Sequence, residues 1–319
     1  MRSKSANYTV NNRCAPNVPL DSVLDDSSAD QGFGLTGRFA PSPTGPLHMG
    51  SLVTALASYC DIKQRGGRWY LRFDDIDPVR TVPGAIADIS RTLHVHGLVP
   101  DADLRQQSHF VPRYERALQQ LMEHCFYCRC SRSELQDHKL YPGYCRAITK
   151  KTSNRAVRIR VDRQRRSFID ALKGDHGYVP ADDFGDFVIW RKDDLVTYHL
   201  ATACDDAMDY SHVLRGDDLF EMTAPQLFIM EKLGLTPPEY VHIPVLTFAD
   251  GTKLSKQTQA PALDAATPEA NIRCALEFLG QNPPTNLLSV SEWIHWSVKH
   301  WRLTAVPPQL KPYVASDLS

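Results

Sequence analysis

A loop rich in proline and glycine that runs directly into a helix signal is the feature that most constrains this chain. The loop lies in residues 37–51, which read GRFAPSPTGPLHMGS. Apolar residues four positions apart predict a helix that begins near His48, and alternating apolar residues predict a strand at 68–73. The order strand, loop, helix, strand predicts a βαβ unit of an α/β protein. Ligands bind at the carboxyl ends of strands in such sheets, and the free N–H groups of a helix start suit phosphate.

Two short motifs carry candidate chemistry. The first, HMGS at 48–51, places a histidine that can donate to phosphate near Gly50, which lets a ring or phosphate approach the backbone because it has no Cβ. The second, KLSKQ at 253–257, follows a turn signal and supplies lysines that can stabilise charge in phosphoryl transfer. HMGS alone is ordinarily a capped helix with a surface histidine. The second motif favours a nucleotide site.

The two motifs, in this order, resemble the HIGH and KMSKS signatures of class I aminoacyl-tRNA synthetases. The longer run GRFAPSPTGPLHMGSL resembles their glutamyl branch, and in particular the glutamyl-Q tRNA(Asp) synthetases, shortened paralogues without the anticodon-binding domain. The resemblance covers residues 37–314. It implies an α/β fold: a Rossmann-type catalytic domain with a zinc-binding insertion and a short helical C-terminal part. The implied reaction is ATP-dependent activation of L-glutamate to glutamyl-adenylate and glutamyl transfer onto queuosine at the wobble position of tRNA(Asp).

The resemblance also implies a role for each matching residue. The catalytic residues are His48, Gly50 and Lys256. ATP, with Mg²⁺ expected on charge grounds, is bound by Thr44, His48, Gly50, Ser51, Lys253 and Lys256. L-Glutamate is bound by Arg38, Phe39, Ala40, Pro41, Ser42, Asp74, Tyr198 and Arg215. Two arginines suit a dianionic amino acid. Asp74 stands where the family has a glutamate that holds the α-amino group, and its side chain is one methylene shorter.

Ordinary interpretations stand beside these roles. The acidic run 74–77 can be a solvated turn that caps the next helix. Arg215 can form an ion pair with Asp217 or Asp218 instead of binding a carboxylate. The arginine-rich run 155–166 is either a solvated face or a contact for RNA phosphates.

Four of the eight cysteines fall between residues 125 and 145. Cys128 and Cys130, followed by Cys145, have a spacing that suits zinc, which thiolates bind well. The residues alone leave the fourth ligand open among Cys125, His138, Tyr141 and His124, and chemistry favours a cysteine or histidine. The resemblance implies a structural site of Cys128, Cys130, Tyr141 and Cys145. The alternative is a group of buried thiols without metal.

Five segments are expected along the 319 residues. They are a disordered N-terminal extension (1–35), the first half of the catalytic domain (36–124), the zinc-bearing insertion (125–195), the second half with the KLSKQ loop (196–260) and a short helical C-terminal region (261–319).

Composition limits the partners and the compartment that the sequence predicts. The net charge is −1, so any RNA contact must be a local patch, and no apolar run is long enough for a membrane span. Irregularly spaced cysteines in a chain of this length indicate a reducing cytoplasm. We expect a monomer whose partners are ATP, L-glutamate and tRNA(Asp) carrying queuosine, without membrane or DNA. The rival functions are a shortened glutamyl-tRNA synthetase that charges a tRNA 3′ end, an inert regulatory binding protein and a nucleotidyltransferase for a small acceptor.

Overall fold

The structure is a computed structural model that describes residues 34–150, 153–254, 260–287 and 289–313. The first part of the chain contains β1 (Thr36–Phe39), α1 (Met49–Gln64), β2 (Arg68–Phe73), α2 (Ala85–Val95), β3 (Arg105–Gln106) and α3 (Val111–Leu121). The middle contains β4 (Cys125–Cys128), β5 (Ala156–Ile159), β6 (Arg166–Asp170), β7 (Gly174–Tyr178), α4 (Pro180–Asp183) and β8 (Phe187–Trp190). The rest contains α5 (Tyr198–Asp209), β9 (His212–Gly216), α6 (Phe220–Leu233), β10 (Glu239–Ile243), α7 (Pro268–Phe278) and α8 (Val290–His300).

Parallel strands form the centre of the fold. β1 pairs with β2 and β2 with β3, while β9 pairs with β10, all in parallel. The two groups meet where β1 lies beside β9: the backbone N–H of Ser211 donates to the Thr36 carbonyl at 3.2 Å. The resulting spatial order, β3-β2-β1-β9-β10, is the Rossmann order, with a topological switch point beside β1. The predicted α/β fold class is confirmed.

Helix α1 crosses the back of this sheet and is largely buried. The residues whose four-residue spacing predicted it, Leu52, Leu56 and Cys60, are all fully buried. Helices α7 and α8 cover the same core, to which Trp293 and Trp301 contribute. Burying so many apolar side chains is the main favourable term that holds α1 between the sheet and the C-terminal helices.

The middle of the chain adds a second layer of structure. β4, β5 and β8 form an antiparallel sheet, and their apolar side chains share a core with α3, α5 and α6. β6 and β7 form a hairpin, and β6 joins the central sheet beside β10. Residues 1–33 lie outside the described residues, so the predicted extension is not addressed, and the domain boundaries stay predictions. None of the helices in the described ranges has the length and apolar character needed to cross a membrane.

Candidate active site

His48 defines the start of α1. Its side-chain Nδ1 accepts the backbone N–H of Ser51 at 3.3 Å, so the imidazole caps the helix. The cap holds the imidazole ring against the first turn of the helix. Gly50 makes room for this ring, because a Cβ at that position would lie 3.2 Å from His48 Nδ1. The HMGS motif thus combines a helix start with a ring fixed beside it.

The chain after the KLSKQ motif returns to the same helix start. His48 pairs with Ala262 in a short antiparallel bridge, and the backbone N–H of Leu263 donates to the Leu47 carbonyl at 2.9 Å. Lys253, at the start of the motif, forms an ion pair with Asp218 at 2.5 Å. Residues 255–259, which include Lys256, lie outside the described residues. The segment that follows the second motif therefore meets the first, while the role of Lys256 stays a prediction.

A cavity of about 180 Å³ opens at the carboxyl ends of the central strands. Four of the residues predicted for glutamate or ATP line it, namely Ser42, Thr44, Asp74 and Tyr198. The predicted site residues do not include the other polar residues of its wall, which are Asp77, Arg80, Thr81, Gln107, Arg191 and Thr197. Asp77 and Arg80 belong to the same DDIDPVR run as Asp74, which was the available signal.

A line of alternating charges runs from the cavity wall into the core. Arg72 Nε donates to Asp74 Oδ1 at 2.8 Å, and Arg72 Nη1 donates to Asp206 Oδ1 at 2.7 Å. Asp206 in turn accepts from Arg38, from Nε at 3.1 Å and from Nη2 at 2.9 Å. Burial alone would raise the pKa of Asp206, but Arg38 and Arg72 lower it to about 2. Asp206 is therefore a carboxylate that holds two cations in place.

Arg38 lies deeper than the sequence suggested. It is 3% exposed and does not line the cavity, nor do its neighbours Phe39, Ala40 and Pro41. Its Nη1 donates to the Leu214 carbonyl at 3.4 Å, which ties β1 to β9. A guanidinium has five N–H groups, so the hydrogen bonds within the described residues leave Arg38 with two further donors.

Arg215 lies near the carboxyl end of β9 and is buried. Its Nε donates to His242 Nε2 at 2.9 Å, its Nη1 to Gln226 Oε1 at 2.9 Å and its Nη2 to Thr223 Oγ1 at 2.8 Å. The alternative of an ion pair with Asp217 or Asp218 is not found in the described residues. Those carboxylates pair with Lys173 and Lys253. Arg215 and Arg38 both help to lower the pKa of Asp206, so both cations act on one carboxylate.

The cysteine cluster lies between β4 and β5. The Sγ atoms of Cys128, Cys130 and Cys145 all lie within 4.8 Å of one another. Sulfurs at about 2.3 Å from a tetrahedral ion are about 3.8 Å apart, and Cys130 Sγ lies 3.6 Å from Cys145 Sγ. Tyr141 Oη lies 3.6 Å from Cys128 Sγ and 3.8 Å from Cys130 Sγ. Gly143, with φ +90°, allows the turn that brings Tyr141 back to Cys145.

The thiols of the cluster differ in acidity: burial and its neighbours raise the pKa of Cys130 to about 11, whereas Cys145 ionises more readily. Burial would raise the pKa of Cys145, but hydrogen bonds from the Arg129 backbone, Tyr141 and Cys130 lower it to about 7. The other fourth-ligand candidates lie elsewhere. Cys125 belongs to the core beneath β4, and His138 Nε2 lies 2.9 Å from the hydroxyl of Tyr144. His124 Nε2 faces Glu123 at 3.4 Å. Tyr141 is thus the candidate that the fold brings beside the thiols.

Several arginines of the run 155–166 have internal partners rather than a purely solvated setting. Arg158 lies over the ring of Tyr141, 4.1 Å from its centroid, and donates to the Asp186 carbonyl. Arg160 donates to two backbone carbonyls near the cysteine cluster. Arg166 bridges Asp162 and Glu231. These side chains stabilise the insertion, which neither of the two interpretations from sequence anticipated.

Comparison with known proteins agrees with this geometry. A family model described as "tRNA synthetases class I (E and Q), catalytic domain" matches residues 35–267. The chain is 41% identical over 277 residues to a protein of Pseudomonas aeruginosa named glutamyl-Q tRNA(Asp) synthetase, and the match covers 85% of this chain and 94% of that protein. It is 43% identical over 282 residues to a protein of the same name from Chromobacterium violaceum, covering 85% and 95%.

A solved structure has the same architecture. The crystal structure of glutamate-tRNA synthetase from Elizabethkingia anophelis superimposes with a TM-score of 0.74 at 26% identity, covering 89% of this chain and 69% of that one. A glutamate tRNA ligase from Elizabethkingia meningosepticum, solved in complex with its amino acid, matches equally well, covering 89% of this chain and 68% of that one.

Proposed function

This chain belongs to the family of class I glutamyl- and glutaminyl-tRNA synthetase catalytic domains, and we propose that it activates L-glutamate with ATP and transfers the glutamyl group onto queuosine of tRNA(Asp). It is an enzyme of the aminoacyl-tRNA synthetase type, a ligase. The relatives named glutamyl-Q tRNA(Asp) synthetase support queuosine as the acceptor. The enzyme would work as a monomer in the cytoplasm, where its tRNA is found.

One observation carries the choice of amino acid: two buried arginines act on one carboxylate, Asp206, which Arg72 connects to Asp74 on the cavity wall. L-Glutamate has two carboxylates and one ammonium. Asp74, which lines the cavity, would accept from the ammonium. The remaining donors of Arg38 and Arg215 would bind the carboxylates, with Tyr198 completing the wall. Glutamine has one charge fewer and would leave one arginine without its ionic partner.

The reaction would proceed in two steps. In the first, an α-carboxylate oxygen of glutamate attacks the α-phosphorus of ATP, and pyrophosphate leaves to give glutamyl-adenylate. In the second, a hydroxyl of the queuosine cyclopentenediol attacks the glutamyl carbonyl, loses its proton and expels AMP. No covalent bond to the protein is required. Positioning and electrostatic stabilisation therefore supply the rate.

The helix start would hold the nucleotide. His48, at the N-cap of α1, would donate to a phosphate, and Gly50 would let ATP approach the backbone. Thr44, Ser51 and Lys253 are proposed as further ATP contacts. Mg²⁺ would accompany ATP to neutralise its phosphates. Lys256 is proposed to stabilise the charge of the transferring phosphate, on the resemblance of the KLSKQ motif alone.

The cysteine cluster is proposed as a structural zinc site with Cys128, Cys130, Cys145 and Tyr141 as its ligands. Three thiols with suitable separations and a lowered pKa at Cys145 support the assignment. When bound, the ion would supply folding free energy to the insertion. Lys192, which donates to the Arg129 carbonyl at 2.8 Å, links the segment that carries the cysteines to the loop that carries Arg191 on the cavity wall.

The decisive experiment is transfer of labelled glutamate, with ATP, onto tRNA(Asp) with and without queuosine, beside tRNA(Glu). We expect label only on tRNA(Asp) that carries queuosine. Removal of the 3′-terminal nucleotide should leave this labelling unchanged, because the acceptor lies in the anticodon loop. Labelling of tRNA(Glu) that is lost with the 3′ terminus would instead identify a glutamyl-tRNA synthetase. ATP–pyrophosphate exchange without glutamate dependence would contradict both.

A further inference from the structure

Behind Arg215 lies a fully buried acid–histidine pair that no predicted role uses. Asp170 ends β6, and His242 lies on β10. Asp170 Oδ2 is 2.7 Å from His242 Nδ1, and both side chains are 0% exposed. The other ring nitrogen, Nε2, receives the hydrogen bond from Arg215 Nε at 2.9 Å. The three side chains form a line that ends at the guanidinium.

The chemistry of Arg215 determines the state of the histidine. A guanidinium can only donate, so His242 Nε2 must carry a lone pair rather than a proton. The ring proton therefore sits on Nδ1 and points to Asp170. Thr223 supports the arrangement, since its hydroxyl accepts from Arg215 Nη2 at 2.8 Å and can donate to His242 Nε2 at 3.1 Å. Burial lowers the pKa of His242, in agreement with a neutral ring.

Asp170 is fixed as an acceptor on both of its oxygens. Oδ1 accepts the backbone N–H groups of Leu172 at 3.0 Å and Lys173 at 2.9 Å. Oδ2 accepts the backbone N–H of His242 at 3.0 Å and its ring N–H at 2.7 Å. All four partners are donors. An amide at this position would have to point its NH₂ group at a donor on one side, so a carboxylate is specifically required.

We propose that Asp170 and His242 are positioning residues for the glutamate site. Asp170 selects the histidine tautomer, and this tautomer holds the Arg215 guanidinium in the plane that presents its remaining Nη1 hydrogen to a glutamate carboxylate. The inference rests on the proposed function, because it requires Arg215 to bind glutamate. It extends that function to two residues beyond the cavity wall.

The test is ATP–pyrophosphate exchange by the full chain, with KM measured separately for glutamate and for ATP. In Asp170→Asn, the side-chain NH₂ group would face a donor, such as the ring N–H of His242. The ring proton can then move from Nδ1 to Nε2, which would place a donor against Arg215. We expect the KM for glutamate to rise about tenfold, with the KM for ATP and kcat at saturating glutamate within about twofold. The control is Asp175→Asn, an exposed carboxylate of the same hairpin, which should leave all three constants unchanged.

A second pair of variants separates positioning from packing. His242→Gln can keep an acceptor for Arg215, so its KM for glutamate should stay within about threefold of the wild-type value. His242→Phe fills similar space without an acceptor and should match Asp170→Asn. If the Phe and Gln variants are equally active on glutamate, the positioning role is wrong. If the wild-type chain shows no glutamate-dependent exchange, the proposed function itself fails, which is a different result. Should Asp170→Asn fail to fold, the His242 pair still decides.

Discussion

Asp74 accepts a hydrogen bond from Arg72 at 2.8 Å, so the carboxylate on the cavity wall is already held by a buried cation before any substrate arrives. Burial raises the pKa of Asp74, and Arg72 opposes that effect. The Asp74 side chain is one methylene shorter than the glutamate that the resemblance implies here. The hydrogen bond from Arg72 holds this shorter side chain in one position on the cavity wall. An ammonium that reaches the cavity would make a second ionic contact with this carboxylate.

We predict that Asp74→Asn raises the KM for glutamate in ATP–pyrophosphate exchange by about tenfold or more, since a hydrogen bond to a charged group contributes about 1.5–3 kcal/mol. Asp74→Glu should retain most activity, because it restores the family residue. The matched control is Asp75→Asn, whose carboxylate binds Ser108 instead of lining the cavity. An unchanged KM for glutamate in Asp74→Asn would remove this residue from the site.

Gly50→Ala tests the space beside His48. The new Cβ would lie 3.2 Å from two atoms of the imidazole, so the ring must shift. We expect the KM for ATP to rise about tenfold, while thermal stability stays level or increases, because alanine favours helix by about 1 kcal/mol over glycine. Thr54→Ala, one turn further along α1, is the control and should affect neither. A variant that loses stability and keeps its KM for ATP would refute the nucleotide role.

The zinc assignment predicts about one zinc per chain in the purified protein, measured by elemental analysis. Cys145→Ser should lose the metal and unfold at lower temperature, because the ion contributes folding free energy. Cys125→Ala should keep the metal, since Cys125 lies in the core beneath β4. Full metal content in Tyr141→Phe, with unchanged affinity in chelator competition, would show that the phenol is not a ligand.

His199 makes stability depend on pH. Burial lowers its pKa to about 4 from the ordinary 6.5 of an exposed histidine. The folded state therefore favours the neutral ring, and its contribution is present above pH 6.5 and is lost as pH falls towards 4. The loss amounts to at most about 3 kcal/mol. Denaturant unfolding of His199→Phe between pH 7.5 and 4 should show a shallower decline than the wild type. His94→Asn, an exposed histidine, should follow the wild-type curve.

Local signals in the sequence were sufficient for the first βαβ unit and for one wall of the site. The helix after the Gly/Pro loop, its cap at His48 and its buried face all follow from periods and from residue types within a few positions. The partner of Arg38 could not be read this way. Asp206 lies 168 residues away, and only the pairing of distant strands brings the two together.

Distant partners also explain why the sequence did not predict the contacts of the arginine run or the whole of the cavity wall. A charge run looks solvated when its partners are unknown. Arg158 donates to Asp186, just before β8, and Arg166 pairs with Glu231 on α6. Arg191 gave no signal because it follows an ordinary strand. Its place on the wall depends on its 3.0 Å ion pair with Asp77, 114 residues earlier.

The junction of β1 and β9 has a consequence for how the protein is made. Thr36 and Ser211, which join the two halves of the sheet, are 175 residues apart. Arg38 and Asp74 leave the ribosome early, whereas Asp206 and Arg215 leave it much later. Until the second half of the chain emerges, a nascent chain therefore carries Arg38 and Arg72 without Asp206, the carboxylate that holds both of them in the folded protein. The buried charge network around Asp206 is therefore complete only after about two thirds of the 319-residue chain has been made.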